Sequence, residues 1–137
     1  MKRFLDTNVF LYAFLDQDVS KKSVAARILA DSVRTASGYV SLQVVNEFCN
    51  VMVKKSRKPL AEIMEATRFF RHFRMADFAF STTQRALVIR DLHGIQFYDS
   101  LMLAAAEAVG CDEILTEDLN DGQMYGSVKA VNPFKGV

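Results

Sequence analysis

Short apolar runs alternate along the chain with longer stretches in which apolar residues return every three or four positions, the pattern of strands and helices taken in turn. Arg3 to Asp6 reads as a short buried strand that ends in a carboxylate, and a helix can begin at once over Asn8 to Leu15. From Ser20 to Arg34, Val24, Ile28, Leu29 and Val33 fall at helical spacing, and Gly38 to Ser41 is a second strand. Leu42 to Lys55 carries Val44, Phe48, Val51 and Met52 as one apolar stripe, with Ser41 placed to cap it. Pro59 breaks the pattern. Leu60 to Arg74 is the next helix, with Ile63, Met64, Phe70 and Phe73 among its apolar residues, and Asp77 to Phe80 a third strand.

Ser81 and Gln84 have the spacing of a capping box, so a helix is predicted from there to His93, where Gly94 suits the left-handed position after a helix end. Tyr98 to Val109 is apolar almost all round, which marks a helix buried within the domain, and Gly110 closes it. Glu113 to Thr116 and Val128 to Val131 supply the last two strands. The alternation predicts an α/β fold in three α/β/α layers, with a mostly parallel sheet of about five strands. No repeat or linker interrupts the 137 residues, which suffice for one core and are too few for two; a single domain over 1–137 with a single site is expected.

Composition removes several classes of protein. Half the residues are apolar and there are six glycines and two prolines, so a disordered or low-complexity chain is excluded. With 17 basic against 16 acidic residues, bulk charge neither predicts nor excludes a nucleic-acid partner, and placement must decide. Cys49 and Cys111 form no disulfide framework or metal spacing, and Cys49 reads as helix core. Lys2 and Arg3 ahead of an apolar run imitate a secretory leader, but Asp6, Thr7 and Asn8 interrupt it and no small-residue cleavage site follows. No stretch reaches the roughly 18 apolar residues of a membrane span. A cytoplasmic protein without membrane contact is expected.

In such folds ligands sit beyond the carboxyl ends of the strands, and here those positions are acidic. Asp6 follows the first strand, Asp99 opens the buried helix, and Asp118 with Asp121 follows Thr116. Glu47 lies three residues from Val44 and four from Val51, at the edge of its helix's apolar stripe, and points partly inward. Each has an ordinary reading by itself: Asp6 and Asp99 as helix caps, Glu47 as a boundary residue beside a lysine, Asp118 as a loop acid. As a group they point elsewhere, because the topology gathers all four and none has a lysine or arginine in its own motif. Carboxylates at about 4 Å repel by roughly 4 kcal/mol per pair at an effective dielectric of about 20, and a hard divalent cation resolves the repulsion. All-oxygen ligation without nearby histidine or thiolate favours Mg²⁺ or Mn²⁺ over zinc. Asp118 to Gly122 hints at a calcium loop, but Gln123 and Lys129 stand where that loop needs glycine and glutamate.

Four segments together resemble the PIN-domain family, especially its VapC-type toxins: Leu5-Asp6-Thr7-Asn8, Val45-Asn46-Glu47-Phe48, Tyr98-Asp99-Ser100-Leu101 and Leu115-Thr116-Glu117-Asp118-Leu119. Their order and separation match over nearly the whole chain. The resemblance implies a metal-dependent endoribonuclease acting on RNA, commonly a homodimer, with a cognate antitoxin protein covering the site in the toxin branch. It makes Asp6, Glu47, Asp99 and Asp118 metal ligands or supports of metal-bound water. Thr7 and Thr116 steady that shell by hydroxyl bonds, with Asn8 beside them. The tail departs from the commoner pattern because Glu117, Asp118 and Asp121 crowd together; Asp118 is preferred, and Asp121 is the alternative to it.

With no strong histidine base among the acids, a metal-generated nucleophile is expected rather than an acid/base pair, and His72 and His93 are read as surface residues. Lys54, Lys55, Arg57 and Lys58, then Arg68, Arg71, His72 and Arg74, form two basic clusters around Pro59. Phe69, Phe70 and Phe73, interleaved with the second, are either a core stripe or a base-stacking platform. A phosphoacceptor receiver domain fits worse, since Asp6 is not doubled and Thr116 leads to Glu117 rather than lysine. A catalytically silent PIN-like module would lack one of the four acids. A DNA nuclease or phosphatase using the same metals stays open.

Overall fold

In the computed structural model, which describes residues 1–76 and 78–137, β1 (Arg3–Leu5) leads through Asp6 into α1 (Thr7–Phe14). The Asp6 carboxylate accepts the Thr7 N–H at 2.6 Å and caps the helix. Asp18 does the same for α2 (Val19–Thr35), accepting the Lys21 N–H at 3.0 Å. β2 (Gly38–Ser41) and α3 (Leu42–Lys55) keep the bounds read from the sequence, although Ser41 makes no side-chain cap bond.

The following segment departs from the helical pattern. α4 (Leu60–Thr67) stops short of Arg74, and Arg68–His72 tightens into a 3-10 turn. The turn carries Phe70 and Phe73 into the core against Phe10, with ring centroids at 4.6 and 5.2 Å. Phe69, partly buried, packs edge-on against Phe10 at 6.5 Å, so Phe70 and Phe73 are core and the three rings form the core stripe rather than an open stacking platform. β3 is Arg74–Ala76, ahead of the expected strand. Asp77, the first residue of that expectation, lies outside the described residues, and Phe80 already opens α5 (Phe80–His93). The apolar residues that suggested a strand are on the surface, Phe80 being 80% exposed. The Thr82 hydroxyl accepts the Ala79 N–H at 3.2 Å and so starts α5 ahead of the anticipated Ser81–Gln84 box. Gly94 ends it at φ 65°, a conformation glycine adopts without steric cost.

α6 (Phe97–Ala108), β4 (Glu113–Leu115), β5 (Met124–Tyr125) and β6 (Val128–Val131) complete the chain. Among the described residues the sheet has six strands in the order β3-β2-β1-β4-β6-β5, in keeping with the expected count of about five. All neighbours are parallel except β5, which pairs antiparallel with β6. Phe4, Leu5 and Val40 are fully buried although adjacent side chains of a strand point to opposite faces, so helices cover the sheet on both sides. α1 packs on α2 and α3, α5 pairs with α6, and α6 lies across β2, β3, β4 and β6. Gly38 permits this closeness: a Cβ there would stand 2.5 Å from the Phe73 ring. No helix among the described residues is long and apolar enough to cross a membrane.

From β1 the chain builds outward through β2 and β3, whereas β4 returns to the other side of β1 and β6 continues from it. The order reverses between β1 and β4. Their carboxyl ends therefore open a crevice, the usual place for a ligand in an open α/β sheet.

Candidate active site

That crevice holds a cavity of about 370 Å³ lined by Asp6, Glu47, Asp99 and Asp118, together with Thr7, Asn8, Asn50, Gln96, Tyr98 and apolar Leu11, Val51 and Met102. Four separate elements deliver the four acids: Asp6 ends β1, Glu47 comes from α3, Asp99 from the first turn of α6, and Asp118 from the loop after β4. A second opening beside it shares Gln96, Asp99 and Asp118.

Hydroxyls fix Asp6 and Glu47. Asp6, 4% exposed, accepts the Thr116 hydroxyl at 2.7 Å on one oxygen and the Thr7 N–H on the other. The Thr7 hydroxyl donates to Glu47 at 2.7 Å, and the Thr116 hydroxyl oxygen in turn accepts the Asp118 N–H at 3.1 Å. Both threonines thus steady the acids, as the resemblance implies. Asn8 reaches Asp118 at the long limit of 3.5 Å.

Burial raises the Asp6 pKa to about 7 against the bonds from Thr116 and Thr7, and the nearby charges of Asp118 and Asp99 push the same way. Asp99 is raised by burial, then by Asp118 and Glu47. Asp118 is raised by burial, then by the charges of Glu117 and Glu47, with a bond to Asp6 opposing. All three are thus held above the ordinary carboxylate range by burial first and by one another's charge second. Among the described residues no lysine or arginine lines the cavity, and no three acidic, histidine or cysteine side chains stand close enough to grip one ion as they are. The donor set itself is all oxygen, which suits a hard divalent ion.

Asp121, the alternative fourth acid, does not line the cavity. Its carboxylate turns to the Asn132 N–H at 2.8 Å and to Lys135 at 3.3 Å, and those partners hold its pKa below the usual carboxylate range. Glu117 also points away, toward α1 and α2. His93 stacks on Tyr125 at 4.8 Å, His72 is exposed, and neither lines the cavity.

Several site residues were not singled out from the sequence. The Gln43 amide donates to Glu47 at 3.0 Å and to the Tyr98 carbonyl at 3.2 Å, tying α3 to α6 at the cavity's edge. Asn50 lies one turn beyond Glu47 on α3. The signal was available: on a helix, positions three or four from a candidate ligand share its face.

Comparison with known proteins agrees with this architecture. The PIN domain profile matches residues 3–122. No curated protein matches the sequence. Among solved structures, the fold is similar to a toxin–antitoxin complex from Klebsiella pneumoniae, with TM-score 0.72 and 18% identity over 97% of this chain and 98% of that one. VapBC2 from Rickettsia felis, bound to a DNA fragment from its promoter, gives TM-score 0.70 and 18% identity over 95% and 97%. VapC20 of Mycobacterium tuberculosis, a toxin that cleaves the sarcin-ricin loop, gives 0.62 and 18% over 82% and 87%. At such identities the likeness to these structures speaks to the fold.

Proposed function

Since the chain belongs to the PIN domain family, we propose that it is a metal-dependent endoribonuclease, the toxin of a VapBC-like toxin–antitoxin pair. One observation carries the reading: four carboxylates from four elements meet in one cavity at the point where the strand order reverses. Asp6, Glu47, Asp99 and Asp118 would hold Mg²⁺ or Mn²⁺, which when bound supplies Lewis-acid activation of water and of the phosphodiester.

The chain's own part is positioning and charge. Thr116 and the Thr7 N–H orient Asp6, while the Thr7 hydroxyl and Gln43 orient Glu47, so the chain's own bonds set these two acids. Asp99 and Asp118 stand at the opening shared by both cavities and repel an incoming phosphodiester unless a cation intervenes, which couples substrate binding to metal binding. Positive charge for the RNA backbone comes from the end of α3, where Lys54 follows Glu47 and Asn50 on one helix face and Lys55, Arg57 and Lys58 continue it.

An apolar groove adjoins the cavity, lined by Leu42, Phe78, Tyr98 and Leu101 and sharing Glu47 with it. It supports protein partners, namely a cognate antitoxin over the acidic site and a second copy of the chain in a homodimer, in a cytoplasmic setting. The direct test is cleavage of a panel of RNAs and DNAs with Mg²⁺, Mn²⁺ or EDTA. RNA cleavage that stops in EDTA is expected. Undiminished cleavage in chelator overturns the metal mechanism, and equal attack on DNA overturns the RNA assignment.

A further inference from the structure

Glu117 is the acid that crowds the tail motif without entering the cavity, and its surroundings give it a different task. It receives a hydrogen bond from the Tyr12 hydroxyl of α1 and an ion pair from Lys21 of α2 at 2.8 Å. Lys21 also donates to the Tyr12 oxygen at 3.2 Å and lies 4.8 Å from the centroid of that ring. Phe134, from the segment after β6, packs edge-on against Tyr12 at 4.9 Å and shields the group from the tail side. The side chains of Lys21 and Glu117 are only 24% and 18% exposed, so this is a sheltered network rather than a surface pair.

The next residue is Asp118. Its backbone is held on the other side by Thr116, which bonds both the Asp118 N–H and the Asp6 carboxylate. The loop is thus fastened before and through Glu117, leaving the Asp118 carboxylate facing the cavity. We propose that Tyr12, Lys21 and Glu117 form a positioning clamp that sets Asp118 for cation binding, with Lys21 also cancelling a negative charge next to an already acidic site. The cation in this inference rests on the nuclease reading; the clamp rests on the bonds themselves.

Charge and position are separable because the two ionic members have opposite signs. Glu117→Gln removes a negative charge and Lys21→Met a positive one, yet both break the clamp, while Tyr12→Phe breaks one bond with no change of charge at neutral pH. Calorimetric Mn²⁺ titration should show affinity falling by about tenfold in both ionic variants and by less in Tyr12→Phe, the scale usual for residues that orient a ligand. In metal-free protein, amide exchange at Asp118 and Leu119 should speed up in all three while exchange in β1 stays as in wild type. Tighter Mn²⁺ binding by Lys21→Met alongside weaker binding by Glu117→Gln would mean the network acts through charge alone, and unchanged loop exchange would mean it holds nothing; either overturns the clamp. Wild type that takes up no Mn²⁺ overturns the nuclease reading and the clamp's purpose together. Normal uptake by wild type and all three variants overturns the clamp only.

Discussion

Asp6 is a carboxylate buried against two others, and in the absence of metal its ionisation should cost the fold stability that a single substitution restores. In the unfolded chain it titrates near 3.8, whereas in the fold its pKa is about 7. The native state therefore binds this proton more tightly, and stability rises as pH falls through 7 toward 4, the reverse of a salt-bridged aspartate. A difference of roughly three pH units corresponds to about 4 kcal/mol above neutrality, an upper bound because the site can relax. Asn at this position keeps the cap, since its amide oxygen accepts the Thr7 N–H about as well, and its NH₂ can donate to the Thr116 hydroxyl. If half the cost is recovered, Asp6→Asn gains about 2 kcal/mol, or roughly 5–10 °C in Tm for a chain of this size. Thermal melts in EDTA should show that gap near pH 8 and narrow it steadily as pH falls through about 7 toward 4, where Asp6 is protonated in the unfolded chain as well. A shallower slope should persist in the variant because Asp99 and Asp118 are raised as well. Millimolar Mn²⁺ should stabilise wild type more than the variant, narrowing or reversing the ranking. Equal melting at alkaline pH in EDTA, or a gap that does not narrow between about pH 8 and about pH 4, would refute the electrostatic reasoning.

Other outcomes follow from the same structure. Phe10→Ala, which empties the space among Phe69, Phe70 and Phe73, should cost about 3–5 kcal/mol in urea unfolding, and a loss below about 1 kcal/mol would deny those rings a core role. Gly38→Ala should cost about 1–3 kcal/mol because its Cβ meets the Phe73 ring, and wild-type stability would show that ring free to move. Glu47→Gln should lose most RNA cleavage with an unchanged circular dichroism spectrum, whereas wild-type rates would remove Glu47 from the site. Expressed alone the protein should slow growth, and a small protein encoded beside its gene should relieve this; harmless overproduction of an active enzyme would count against the toxin assignment.

Much of this architecture is legible in the sequence, for physical reasons. Gly38–Ser41 and Leu42–Lys55 appear with the bounds the pattern gives, because buried strands and amphipathic helices leave strong periodic signals. The convergence of Asp6, Asp99 and Asp118 is readable because topology sends strand ends and helix starts to one edge, and Glu47 joins them from the edge of the α3 apolar stripe. What failed was local competition. The Phe69–Phe73 stretch looks helical by spacing but is claimed by the aromatic core around Phe10, and β5 spans two residues, too few for any alternation. Asp118 and Asp121 differ in the distant partners of their carboxylates, Asn8 for one and Asn132 and Lys135 for the other, which spacing does not reveal. Glu117 carried the same ambiguity, because its partners Tyr12 and Lys21 are about a hundred residues away along the chain.

The most direct measurement is the initial rate of RNA cleavage by wild type and Asp99→Asn as Mn²⁺ is titrated from EDTA to saturation. The wild-type rate should rise from zero and saturate, while Asp99→Asn, folded but short of one carboxylate, should stay slower at every Mn²⁺ concentration by about 100-fold, the top of the range seen for residues that only orient a ligand. Cleavage by wild type in EDTA, or a wild-type rate from Asp99→Asn, would contradict a metal-dependent site built from these four acids.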